Sequence, residues 1–240
     1  MQLDQKESHH AVSVLRLKTG DAVELMDGKG HIFQGAVSEI RAGRVFVRTA
    51  SRSKFYSTAS DKLSARFQVT LAASVIKPER MELLIQKACE LGVDSIIPVR
   101  SERSIVKLSK VRWEGKIKRW RKIAAESCKQ CGLSSTPEID EAADFKSVLT
   151  QAPEFDKILI PTLMVPTRPL YGSLQKLVAG KILVLIGPEG DFSKNEIDLA
   201  VSLGAAPVSL GPLVLRTETA AMYVLSVLNF FYREIYTLKP

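Results

Sequence analysis

The chain has 240 residues, 45% of them hydrophobic and 25% charged, with a net charge of +8. That length suits one large domain or two modest ones, and the composition excludes a disordered polymer. The apolar run at 182–186 is far too short for a bilayer, so no membrane partner is expected. Residues 1–8 lack the apolar core of a secretory signal, and three cysteines cannot build a disulfide framework, so a reducing, cytoplasmic setting is expected.

The first elements read as a short helical start followed by small β structure. Residues 22–27 and 31–38 alternate apolar and polar side chains on either side of Gly28-Lys29-Gly30, a hairpin signal. Gly43 precedes another strand over 44–50. Residues 51–65 are polar and weakly patterned, and a strand is predicted around 66–74, with a domain boundary near 64–73. Strands this short and close predict a small barrel or sandwich over residues 1–66.

The rhythm then changes. Pro78 suits the first turn of a helix that runs through Glu90 and stops at Gly92. A strand over 94–99 and a long basic helix over 110–131 follow. Residues 157–161 and 181–186 read as short buried strands, and 193–203 and 217–236 as helices. Strand and helix alternate, which predicts an α/β domain over 67–240 with a parallel sheet covered on both faces. The stretch 220–232 is apolar nearly all round, so it is either central to the domain or half of a subunit interface, the latter being favoured.

Two stretches carry a chemical signature. In the first, a buried strand runs into Gly187-Pro-Glu-Gly-Asp191, and a helix opens at Ser193 with Glu196 three residues on, a capping box. In the second, Ser209-Leu-Gly-Pro-Leu-Val-Leu-Arg216 leads into a helix at Thr217 with Glu218 in its first turn. Ligands in open α/β sheets sit at the carboxyl ends of strands, and glycines there admit a ligand close to the backbone. Taken singly, each stretch is equally well a plain strand-to-helix turn. Neither the phosphate-loop nor the spaced-glycine dinucleotide pattern is present.

Positive charge is concentrated early: residues 1–66 carry a net +4, residues 67–123 a net +7 and residues 124–240 a net −3. A basic region joined to a near-neutral one suits a polyanion surface beside a separate chemical site, although a solvated basic face explains the charge as well. Lys77, Arg80 and Lys87 lie on the 78–90 helix or at its start, Arg103 follows the 94–99 strand, and Arg119 sits in a basic cluster on the 110–131 helix. Cys128-Lys-Gln-Cys131 has no second pair and no nearby histidine, so helix packing is expected and metal is not. Trp113 and Trp120, seven apart, are expected in a core.

Taken together, these motifs resemble the bacterial 16S ribosomal RNA uracil-N3 methyltransferases of the SPOUT superfamily. The likeness rests on Gly187-Pro-Glu-Gly190, on Leu210-Gly-Pro-Leu-Val-Leu-Arg-Thr-Glu-Thr-Ala-Ala221, and upstream on Val14-Leu-Arg16, the stretch from Lys77 to Val93, Ser101-Glu-Arg-Ser104 and Arg119-Trp120. It covers essentially the whole chain. The resemblance implies an N-terminal PUA-like β-barrel that helps bind RNA and a C-terminal parallel-sheet domain with a deep trefoil knot. It also implies a homodimer that transfers a methyl group from S-adenosyl-L-methionine to N3 of uridine 1498 of 16S rRNA in the small ribosomal subunit. The cofactor would be lined by Leu163, Ile186, Gly187, Glu189 and Gly190 on one side, and by Leu210, Gly211, Val214, Leu215 and Arg216 on the other. Arg216 and Glu218 would serve catalysis, Arg216 by stabilising an anionic uracil and Glu218 by taking the N3 proton or orienting Arg216. Arg16, Lys77, Arg80, Lys87, Arg103 and Arg119 would contact RNA. An inactive RNA-binding assembly protein and an enzyme for another RNA atom, such as a ribose 2′-hydroxyl, are the competing readings.

The chain departs from the family pattern in three places. Asp191 stands where the family usually has a second glycine, and Leu133 where it usually has a basic residue. The chain also begins close to His10, so the barrel's usual first strand is expected to be missing.

Overall fold

The hairpin signal at Gly28-Lys29-Gly30 is built in the structure, a computed structural model that describes residues 1–49, 67–104, 110–175 and 179–231. The polar stretch 51–65, Ala50, Arg66 and the part of the predicted 217–236 helix beyond Phe231 lie outside the described residues. Contacts divide the chain into two units, one holding residues 1–49 with Gly132–Ser135, the other holding the rest of the described residues.

In the first unit, helix α1 (Gln5–His9) is capped by Asp4, whose carboxylate accepts from the Glu7 N–H at 2.8 Å. Strands β1 (Ala22–Met26), β2 (Ile32–Arg41) and β3 (Arg44–Thr49) form an antiparallel sheet in that order. The β1–β2 turn is held by Asp27, which accepts from the N–H groups of Lys29 and His31 at 2.7 and 3.1 Å. The β2–β3 turn needs positive φ at both central residues, and Ala42 (49°) and Gly43 (72°) supply it. Ala11, Val37, Val45 and Val47 form its buried core. No full strand precedes α1 among the described residues, as expected for the barrel's first strand, but residues 1–3 do pair with β3. The Met1 amino group and the Leu3 N–H donate to the Val47 and Val45 carbonyls, and Gln2 bridges Phe46 in antiparallel sense. Residues 1–3 thus satisfy the free edge of β3.

The second unit contains β4 (Phe67–Ser74), α2 (Pro78–Glu90), β5 (Ser95–Arg100), α3 (Lys110–Cys131), β6 (Glu138–Ile139), β7 (Ala143–Asp144), α4 (Phe145–Leu149), β8 (Lys157–Pro161), β9 (Arg168–Pro169), α5 (Leu170–Leu174), β10 (Gly180–Ile186), α6 (Lys194–Ser202), β11 (Ala206–Ser209) and α7 (Thr217–Phe230). The sheet order is β6-β5-β4-β10-β8-β11-β9, and every pairing in it is parallel. β10 is central, and its Ile182, Leu183, Val184, Leu185 and Ile186 are all buried. An unbroken apolar run is what a strand covered on both faces requires.

Helix α2 starts at its proline and ends before Gly92, whose φ of +75° closes the turn. Trp113 and Trp120 on α3 are buried and meet edge-to-face with ring centroids 6.3 Å apart. Cys128 is buried on the same helix, while Cys131 is exposed. On helix α7, Ala221, Val224, Leu225 and Leu228 are buried, and the helix packs on α2, β4 and β10. Its Tyr223 and Phe230 remain exposed.

Candidate active site

The chain order of the sheet positions the site. β8, β10 and β11 are neighbours and parallel, so the loops that leave them, at 162–164, 187–191 and 210–216, gather at one end of the sheet. After β11 the chain returns across the ends of β8 and β10 to bring α7 onto β10 and β4. The three loops enclose a cavity of about 240 Å³.

Of the cofactor candidates, Leu163, Ile186, Gly187, Glu189, Gly190, Leu210, Gly211, Val214 and Leu215 line this cavity. Arg216 does not; it is exposed at the N-cap of α7. Thr162 and Met164 of the loop after β8 and Asp191 of the loop after β10 line it too, as do Leu213 and Thr217, which the sequence had not singled out as cofactor contacts. The glycines have steric reasons. A Cβ on Gly187 would lie 2.9 Å from the Phe192 backbone nitrogen, and Gly211 has φ +104°. Thr217 fixes the start of α7 by donating its hydroxyl to the Gly187 carbonyl at 2.9 Å.

Asp191 adopts φ +61°, a conformation that favours glycine and that aspartate tolerates better than most residues. Its carboxylate turns to its neighbours in the protein. Oδ2 accepts from the Thr162 hydroxyl at 2.7 Å and the Leu163 N–H at 3.0 Å, and Oδ1 accepts from the Phe192 N–H at 2.7 Å.

A charged cluster adjoins the 187–191 loop. Arg80 Nη1 is 3.3 Å from Glu189 Oε1, and its Nε is 3.8 Å from Glu218 Oε1. Glu218 is 7% exposed, and its Oε2 is buried without a hydrogen-bond partner among the described residues. Such an oxygen calls for a structural explanation; Glu218 is not among the residues that line the cavity, although its neighbour Thr217 is. The arginine beside Glu218 is thus Arg80, not the adjacent Arg216.

The loop after β5 is tied to the same region. Arg103 donates to the Gly190 and Phe192 carbonyls. The Ser193–Glu196 capping box is formed, and Glu196 Oε1 also accepts from the Glu102 N–H at 2.9 Å. The other basic candidates are dispersed. Arg119 makes a two-pronged pair with Glu82 at 2.6 and 2.8 Å, Lys87 pairs with Glu90 at 2.8 Å, and Lys77 stands at the N-cap position of α2 with no side-chain capping bond. Arg16 lies in the first unit, at φ +56°. Leu133, the other departure, is half-buried.

Comparison with known proteins gives a consistent picture. A family model for an RNA methyltransferase domain matches residues 63–229, and one for an RNA methyltransferase PUA domain matches residues 3–49. The ribosomal RNA small subunit methyltransferase E of Bacillus subtilis is 26% identical over 94% of this chain and 88% of its own length. A Legionella pneumophila protein solved with bound SAM is 34% identical, with a TM-score of 0.80 over 95% of this chain and 90% of its own. The ribosomal RNA small subunit methyltransferase E of Neisseria gonorrhoeae, solved bound to S-adenosyl methionine, has a TM-score of 0.80 at 26% identity, over 97% of this chain and 92% of its own. With matching models at both ends and relatives along nearly its whole length, the chain belongs to the RNA methyltransferase family that carries a PUA domain.

Proposed function

We propose that this protein methylates N3 of a uridine in 16S rRNA, the counterpart of uridine 1498, using S-adenosyl-L-methionine. The observation that carries the reading is the three-loop cavity beside a buried, half-satisfied glutamate. The cavity fits the cofactor in kind. Ile186, Leu210, Val214 and Leu215 offer apolar walls to a purine, and the turns at Gly187 and Gly211 bring backbone polar groups close. When bound, the cofactor supplies an electrophilic methyl group. The chain's own residues supply position and proton transfer. Glu218 accepts the N3 proton, with Arg80 holding one of its oxygens. Arg216, exposed at the mouth of α7, stabilises negative charge on the uracil ring.

Arg80 and Arg103 lie nearest the cavity loops and serve as the inner RNA contacts. Lys87 and Arg119 reach phosphate only by leaving Glu90 and Glu82, and Lys77 and Arg16 extend the basic surface. Residues 1–66 act as the RNA-binding PUA-like domain and residues 67–240 as the knotted catalytic domain. The protein works in the cytoplasm as a homodimer. Exposed apolar side chains at Leu213, Val214, Tyr223 and Phe230 favour that pairing.

Nucleoside mass spectrometry of small subunits treated with protein and cofactor tests the reading. 3-Methyluridine is the expected product. A 2′-O-methylated nucleoside, or no modification with the cofactor bound, overturns it.

A further inference from the structure

Asp191 stands out because it combines an unfavourable backbone conformation with a fully used carboxylate. A non-glycine residue at φ +61° carries a conformational penalty that a glycine would avoid. Its side chain gathers three donors in return, and they come from two different loops. The Thr162 hydroxyl and the Leu163 N–H follow β8; the Phe192 N–H follows β10. Thr162 continues the chain, its oxygen accepting from the Met164 N–H at 3.1 Å. Thr162, Leu163, Met164 and Asp191 all line the cavity. Leu163 and Met164 are exposed, so these bonds, with the Thr162 N–H bond to the Val208 carbonyl at 3.3 Å and the packing of Val165 on the core, restrain that loop.

We infer that Asp191 is a positioning residue, a latch that locks the 162–164 loop onto the 187–192 loop and so pre-forms one wall of the cofactor cavity. The inference rests on the proposed cofactor reading. Bonds to an ionised acceptor are the stronger kind, and a loop ordered in advance loses less entropy when a ligand binds. The latch therefore acts on cofactor affinity and not on the transfer step. It also needs the carboxylate itself. An amide in the same place turns its NH2 toward the Leu163 N–H or the Phe192 N–H, so a donor faces a donor and at least one of the three bonds is lost.

The test uses Asp191→Asn, Asp191→Gly, Thr162→Ala and Thr162→Ser in the full-length chain. Calorimetry with S-adenosyl-L-methionine should show affinity falling about 10-fold in Asp191→Asn and Thr162→Ala, with kcat at saturating cofactor nearly unchanged. Asp191→Gly should bind as weakly although its backbone is relaxed, and Thr162→Ser should restore wild-type affinity. The double variant Asp191→Asn with Thr162→Ala should be no worse than either single change, because both cut one latch. Additive losses, or wild-type affinity in Asp191→Gly, overturn the proposal. Hydrogen exchange of the Leu163 and Met164 amides without ligand provides an independent readout. Faster exchange in Asp191→Asn is expected, and unchanged exchange sinks the latch. If the wild-type chain binds no cofactor while exchange still responds to Asp191, the proposed function fails and the latch stands.

Discussion

The two units bury their strands in opposite ways. In the N-terminal sheet, β1 has no buried residue, and the buried cluster is confined to Ala11, Val37, Val45 and Val47. In the parallel sheet, β10 is buried from Ile182 to Ile186, and the cluster around it includes both aromatic rings of Phe145 and Phe192, 4.6 Å apart. A one-sided sheet leaves a face free for another molecule, whereas a two-sided sheet leaves only its ends free. The first kind suits a binding surface. The second forces any ligand to the strand termini, where loops from distant parts of the chain converge.

The largest expected effect tests whether the strand termini hold the cofactor. Gly187→Val places a side chain against the Phe192 backbone nitrogen, 2.9 Å from the ideal Cβ. Calorimetry should show cofactor affinity falling by about 100-fold or more, the order that a small misplacement of a site produces. Normal binding would remove the cavity from consideration. Next, Glu218→Gln should lower methylation by about 10²–10⁴ in single-turnover assays, the range for loss of a proton acceptor, with cofactor affinity retained. Arg216→Ala should also abolish turnover while leaving the circular dichroism spectrum intact.

A smaller effect separates the two units. Val47→Ala removes two buried methyl groups from a minimal core and should destabilise the first unit by about 1–3 kcal/mol. RNA affinity should fall in filter binding while cofactor affinity stays the same; a loss of both would show that the units are not independent.

The smallest effect concerns two aspartates near the sheet edge. Burial, and Glu138 beside it, raise the Asp140 carboxyl, whereas the bond from Arg100 lowers the Asp144 carboxyl. A raised carboxyl lends stability below its unfolded pKa and loses it as pH rises through its folded value. Asp140→Asn should therefore raise stability at neutral pH by about a few tenths of a kcal/mol, the scale of exposed charges. The gain should vanish on acidification. Asp144→Asn should do the reverse, destabilising at neutral pH with the difference lost as pH falls. Melting temperatures at two pH values decide both.

Strong boundary signals made much of this legible in the sequence. Pro78 and Gly92 bracket α2, Ser193 and Glu196 start α6, and Thr217 opens α7, each with a local chemical cause. Short elements escaped because one helical turn has no period: Phe145–Leu149 and Leu170–Leu174 are five residues each. The glycine turns were visible as turns, and the family likeness made them a cradle. The roles of Asp191 and Arg80 were not visible. Asp191 finds its partner at Thr162, and Arg80 finds Glu189 and Glu218 across the fold, pairings that no local pattern encodes. The hydroxyl at Thr162, directly after a buried strand, was the one available hint.

The pairing of β4 with β10, Gln68 opposite Lys181, also sets a timetable. During synthesis β4 and β5 emerge first and must wait, with one apolar edge open, for the strand that completes the sheet. Contacts this distant along the chain fold slowly. Since β11 and its loop come later still, a nascent chain holds a finished half-sheet long before it can hold a cofactor, and premature termination before β11 yields protein that is sticky but chemically blind.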